Sequence, residues 1–121
     1  VVAAGPTTSM REEPYEADVI ERCSLRMIIG KGGMGPRTLE ACRKFGCVYL
    51  QAVGGAAAVL ANAIKRVEGV YRLDEFGMAE AQWVFEVSGF EAVVGMDANG
   101  ESLYEKVKAD SENKLIKLLS R

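Results

Sequence analysis

Apolar positions change their period several times along this chain, and each change predicts an element. Val1-Val2-Ala3-Ala4 reads as the end of a strand. Gly5 and Pro6 then bend the chain. Val19, Ile20 and Cys23 recur at helical spacing. Ser9 and Glu12 fit a capping box, but Pro14 is comfortable only in a first helical turn. A helix is therefore expected from about Glu13, with residues 7–12 in a tight turn. Leu25 to Ile29 reads as a buried strand ending in the loop Gly30-Lys31-Gly32-Gly33-Met34-Gly35-Pro36. Leu39, Cys42 and Phe45 mark a helix from about Arg37 to Phe45, closed by Gly46. Cys47 to Ala52 is the next expected strand.

Farther along, Ala57, Leu60, Ile64 and Val67 form a stripe that predicts one helix from Gly54-Gly55 to about Val67. A short strand is expected at Val70 to Leu73, then a turn with a helical piece over Asp74 to Ala81. Trp83 to Val87 and Phe90 to Met96 read as a hairpin across Ser88-Gly89. Asp97-Ala98-Asn99-Gly100 is a turn. The charged tail from Ser102 to Arg121 carries Leu115, Ile116, Leu118 and Leu119, with Asp110 or Ser111 able to cap a separate last helix. Alternation of strands and helices predicts an α/β fold, a parallel or mixed sheet with helices packed on it.

Composition narrows the function. A length of 121 residues fits one domain. The net charge of −2 gives no basic excess for nucleic acid, and no apolar run is long enough to span a bilayer. Three cysteines with no C-x-x-C pair predict neither a disulfide framework nor a self-contained zinc site, and free thiols fit a reducing cytoplasm. They read as small core residues. The absence of histidine excludes Ser-His and Cys-His catalysis within this chain. The opening on Val1 suggests a piece of a larger domain.

Candidate chemistry lies in the two loops leaving the first two expected strands, Gly5 to Arg11 and Gly30 to Pro36. In open α/β sheets ligands bind at that edge. Each loop carries a cation, Arg11 or Lys31, and each leads into a helix N-terminus, which favours anions. A charge pair near 4 Å is worth roughly 4 kcal/mol at an effective dielectric of about 20. Two such contacts suit a dicarboxylate. The alternatives are that Thr7, Thr8 and Ser9 only cap a helix and that Arg11 and Lys31 are solvated. A nucleotide loop does not fit, because Leu25 stands where its first glycine belongs and Gly32 where its Ser or Thr belongs. Gly54-Gly55-Ala56 is explained by close helix packing. Glu86 and Asp97 have no evident partners.

Three motifs carry a resemblance across nearly the whole chain: Gly5-Pro6-Thr7-Thr8-Ser9-Met10-Arg11, Met27-Ile28-Ile29-Gly30-Lys31-Gly32 and Val48-Tyr49-Leu50-Gln51-Ala52-Val53-Gly54-Gly55-Ala56-Ala57. In this order they resemble the β subunit of the iron-sulfur-dependent hydro-lyases, the class I fumarate hydratases and L(+)-tartrate dehydratases. The segment Met78 to Glu86 and the stretch Val93 to Gly100 fit as well. The resemblance implies a swivelling β/β/α domain spanning residues 1–121, and a hetero-oligomer with an α subunit. That partner would bind a 4Fe-4S cluster whose open iron takes the substrate. The substrate would be malate/fumarate or, next, tartrate. Thr7 matches the family's proposed catalytic base, and Arg11 and Lys31 match residues that bind the substrate carboxylates. Two departures stand out: Glu12-Glu13 replace Met-Asp after the motif's Arg, and the family's preceding segment, with a further substrate-binding Arg, is missing. The rival reading is a non-catalytic anion-binding module.

Overall fold

A computed structural model describes residues 1–5 and 7–120. Pro6, expected to help bend the chain, and Arg121, at the end of the expected tail, lie outside the described residues. A 3₁₀ turn, Ser9–Glu12, runs directly into α1 (Glu13–Cys23), with Pro14 in its first turn. Next come β1 (Met27–Lys31), α2 (Pro36–Phe45) and β2 (Val48–Ala52). Pro36 opens α2 and Gly46 closes it with φ 67°, as expected from the local chemistry. The first strand lies two residues later than expected, so Lys31 ends the strand rather than sitting in the loop. It is also less buried than expected: Met27 and Ile29 are exposed.

The pairing β1–β2 is parallel and the pairing β2–β5 (Val93–Met96) is antiparallel, giving a mixed three-stranded sheet with β2 in the centre. A register shift between Tyr49 and Leu50 bends the pairing with β5. Helices α1 and α2 cover one face. Ile20, Ala41, Cys42, Cys47, Tyr49, Met34 and Met96 form the core between them. Thus the expected α/β architecture with a mixed sheet is present.

The middle of the chain departs from expectation. The single helix expected up to Val67 stops at Asn62: α3 is Ala57–Asn62, and β3 is Ile64–Tyr71. β-branched Ile64, Val67 and Val70 with Gly69 favour an extended chain over a helix once a partner strand is present. That partner is β4 (Gln82–Val87), antiparallel to β3 in a separate two-stranded sheet. The expected hairpin between β4 and β5 is therefore absent. Ser88 instead donates its amide to the Ala63 carbonyl (2.8 Å), closing β4 against the end of α3, and the following residues carry the chain to the other sheet. Between β3 and β4 lies α4 (Leu73–Glu80), broken at Gly77. It is the helical piece expected over Asp74 to Ala81, and of the strand expected at Val70 to Leu73 only Val70 and Tyr71 are extended, as the end of β3.

At the two ends the expectations also shift. Residues 1–4 form no described strand; the Ala4 amide donates to the Ala57 carbonyl at 3.1 Å. The last helix is continuous, α5 (Leu103–Leu119), capped by Ser102, whose hydroxyl accepts from the Glu105 amide at 3.4 Å. No new cap forms at Ser111, because its hydroxyl bonds back to the Val107 carbonyl at 2.8 Å. Among the described residues no helix is long and apolar enough to cross a membrane.

Candidate functional site

Lys31 ends β1, and the segment that leads into α1 passes beside it. The Lys31 ammonium donates to the Thr7 carbonyl. An ammonium has three donors, so two remain for a carboxylate. This contact links Thr7 and Lys31, 24 residues apart in the sequence. Arg11 sits in the 3₁₀ turn, exposed, its amide bonded to the Thr8 carbonyl at 3.0 Å. Among the described residues its guanidinium makes no hydrogen bond or ion pair, so its five donors are available.

Close approach at Gly30 holds this arrangement. A Cβ there would stand 2.1 Å from the Ser9 hydroxyl oxygen and 2.6 Å from that of Tyr49. The glycine lets the turn carrying Thr7, Ser9 and Arg11 lie directly on β1. Tyr49 is buried and donates its hydroxyl to the Gly32 carbonyl at 2.8 Å. Tyr104, on the first turn of α5, donates to the same oxygen at 3.3 Å and meets Tyr49 edge to face, 6.5 Å between ring centres. The residue after Lys31 is thus held by two phenols. Burial pushes both phenols upward, Tyr104 to about 12, so they remain donors at neutral pH.

One expected anion site is already filled. The α2 N-terminus, read as open to a ligand, receives the Glu13 carboxylate. Glu13 accepts from the amides of Gly35 (2.8 Å), Arg37 (2.9 Å) and Thr38 (3.3 Å) and from the Thr38 hydroxyl (2.6 Å). Burial alone would raise its pKa, but these hydrogen bonds outweigh that and hold the carboxyl below its ordinary 4.5. The orphan amides of the helix end are spent on α1, not on substrate.

Thr7 has a second partner. Its hydroxyl donates to Glu80 Oε1 at 3.1 Å, across 73 residues of sequence. Glu80 ends α4, and nothing near it in sequence signals the contact. Nor did the sequence signal the contacts of Tyr49, Tyr104 and Glu13. Glycine at Gly30, where an ordinary strand would carry a side chain, was the available sign of a close neighbour.

Other candidates resolve differently. Glu86 pairs with Arg66 at 3.3 Å, and Asp97 accepts from the amides of Asn99 and Glu101 within its own turn, both at 2.9 Å. Cys42 and Cys47 are core residues, but Cys23 is exposed on α1. Burial pushes the Cys42 thiol up to about 12. Two buried thiols and one exposed one do not fit a cluster site, and among the described residues no three His, Cys, Asp or Glu side chains gather as metal ligands. A shallow groove between α1 and α2, lined by Ala17, Glu21, Arg37, Ala41 and Lys44, shares no residue with the Thr7–Lys31 cluster.

Comparison with known proteins adds the family. A model described as "Fumarase C-terminus" matches residues 1–107. A relative from Geobacillus stearothermophilus, provisionally named a fumarate hydratase class I, is 52% identical over 95% of this chain and 22% of its own length. One from Methanocaldococcus jannaschii, provisionally named an L(+)-tartrate dehydratase subunit beta, is 46% identical over 98% of this chain and 61% of its own. The L(+)-tartrate dehydratase subunit beta of Escherichia coli is 38% identical over 89% of this chain and 54% of its own. The chain thus spans between about a fifth and three fifths of the length of these relatives. With the family model running from the opening residues through the first turn of α5, the chain belongs to the fumarase C-terminal family.

Proposed function

We propose that this chain is the β-subunit part of a hydro-lyase and works with an α subunit to interconvert malate and fumarate. The observation that carries the reading is the contact between Lys31 and Thr7, with Arg11 free one turn away. Arg11 and Lys31 bind the substrate carboxylates, the first through its planar fork and the second as a point charge. Thr7 takes the proton from the carbon next to the leaving hydroxyl. The 4Fe-4S cluster belongs to the α subunit and supplies Lewis-acid chemistry at that hydroxyl. Free thiols are compatible with a cytoplasmic assembly.

Tartrate dehydration to oxaloacetate is the second reading, favoured by the names of two relatives. The two substrates differ by one hydroxyl, which the α subunit is positioned to sense on this reading. Co-expression with a cluster-bearing α subunit under anaerobic conditions, followed by malate and tartrate dehydration assays, separates them. Arg11→Ala and Lys31→Ala should each lower kcat/KM by about 10²-fold, the value of one charged hydrogen-bonding contact. Activity that survives both substitutions refutes the assignment of these residues. A complex that dehydrates neither acid favours the anion-binding module instead.

A further inference from the structure

We infer that Glu80 is a positioning residue for Thr7: it orients the Thr7 hydroxyl and takes up its proton as Thr7 removes one from the substrate. The inference rests on the hydro-lyase reading above and adds a residue to it.

A threonine hydroxyl is a weak base, and there are two ways to make it effective. Neighbouring cations can stabilise its alkoxide, or an acceptor can remove its proton during the transfer. The Lys31 ammonium is spent partly on the Thr7 carbonyl rather than on the hydroxyl. The hydroxyl itself faces a carboxylate, 3.1 Å away at Glu80 Oε1. A carboxylate at that distance disfavours an alkoxide and favours handing the proton on. With the hydrogen directed at Glu80, a lone pair of Oγ1 is left for the substrate proton.

The fold builds this contact deliberately. Gly77 adopts φ 68° and ψ 179°, breaking α4 three residues before Glu80. A side chain at Gly77 would meet no atom within 4 Å, so the conformation rather than space selects glycine. Beyond the break the chain is pinned twice. The Ala81 amide donates to the Gly77 carbonyl (3.0 Å), and the Trp83 indole donates to the Met78 carbonyl (3.0 Å). Trp83 is stacked on Phe85 at 6.3 Å. Glu80 lies between these two anchors. On its α1 side stands Tyr15, whose hydroxyl is held above its ordinary 10 by a hydrogen bond to Glu12, then by burial and by the charges of Glu12, Glu16 and Glu80. Thr7 hydrogen-bonds the carboxylate, and Tyr15, itself beside Glu12 and Glu16, feels its charge.

The step balances without another reagent. The substrate C–H bond breaks and an O–H bond forms on Thr7 Oγ1. The original Oγ1–H bond breaks and an O–H bond forms on Glu80 Oε1. The C–H electron pair becomes the C=C bond, and the C–O pair leaves with hydroxide. Glu80 then returns the proton through solvent to that hydroxide, giving water.

The test uses the complex with its α subunit. Glu80→Gln should lower kcat about 10²-fold with KM within about threefold. Glu80→Asp should recover part of the rate. Adding Glu80→Gln to Thr7→Ala should cost nothing further, because both act on one proton. Glu75→Gln, in the same helix, should leave kcat unchanged. A second readout uses this chain alone: the ¹³C shift of the Glu80 carboxyl should move in Thr7→Val and not in Thr7→Ser. Glu80→Gln with wild-type kcat overturns the inference while leaving the hydro-lyase reading standing. A Glu80 carboxyl signal insensitive to Thr7→Val overturns the contact itself. A wild-type complex inactive on both acids overturns the reading, and the proton step with it.

Discussion

The three-stranded sheet with α1 and α2 and the arm formed by β3, α4 and β4 are held together by different means. In the first, side chains are interlocked: Ile20, Cys42, Cys47 and Tyr49 are almost fully buried, and Glu13 ties one helix to the start of the other. In the arm no residue of β3, α4 or β4 is fully buried. It is held by its strand ladder, by a single stack of Trp83 on Phe85 and by exposed ion pairs such as Arg66–Glu86. Thr7 sits where the two meet, its carbonyl bonded to Lys31 of the first and its hydroxyl to Glu80 of the second. The lesson is that one half of this candidate site is fixed by packing and the other by backbone conformation, which need not respond alike to mutation.

Substitutions that add or remove a few atoms sharpen that contrast. The largest effect is expected from Gly30→Ala, where a Cβ must displace Ser9 and the rigid Tyr49 phenol. It should cost about 3 kcal/mol in urea unfolding. Gly69→Ala, in β3 of the arm, meets no atom within 4 Å and should change stability by about 0.5 kcal/mol or less. Equal losses at the two positions would erase the distinction between the regions. Glu13→Ala comes next, at about 2 kcal/mol, since it strips the start of α2 of a charged acceptor. That contribution has a pH signature. The folded carboxyl titrates below its ordinary 4.5, so the stabilisation is complete above that value. It should fade as the pH drops through the lower folded value, and a pH series of urea midpoints should show this in wild type and not in the variant. Tyr49→Phe should cost about 1 kcal/mol, because Tyr104 still donates to Gly32. Smallest in energy but clearest in kind, a thiol reagent at neutral pH should label Cys23 and spare Cys42 and Cys47 in the folded chain.

The same contrast explains what could be read from residues alone. Local chemistry marked α1 and α2 well, through Pro14, Pro36 and Gly46. Arg11 and Lys31 were legible as cations, though Lys31 ends β1 rather than sitting in the loop after it. The arm was not. Leu60, Ile64 and Val67 fit a helical stripe as well as they fit the end of one helix and the start of a strand. Ser88-Gly89 looks like a turn, yet β4 pairs back with β3 across the intervening α4 rather than forward with β5. Glu13 was legible only as the start of α1, and only the packing of α1 on α2 reveals that it caps its neighbour. Glu80 depends on a contact spanning 73 residues, which no periodicity encodes.

The Gly32 carbonyl accepts from a phenol of the sheet and from a phenol at the first turn of α5. A Cβ at Gly95 would collide with the Tyr104 ring, so that ring is wedged against β5 as well. Mechanically, this makes the start of α5 a strut whose far end is the residue after Lys31. A force applied along the exposed length of α5 is delivered first to the Gly32 carbonyl, at the residue after Lys31.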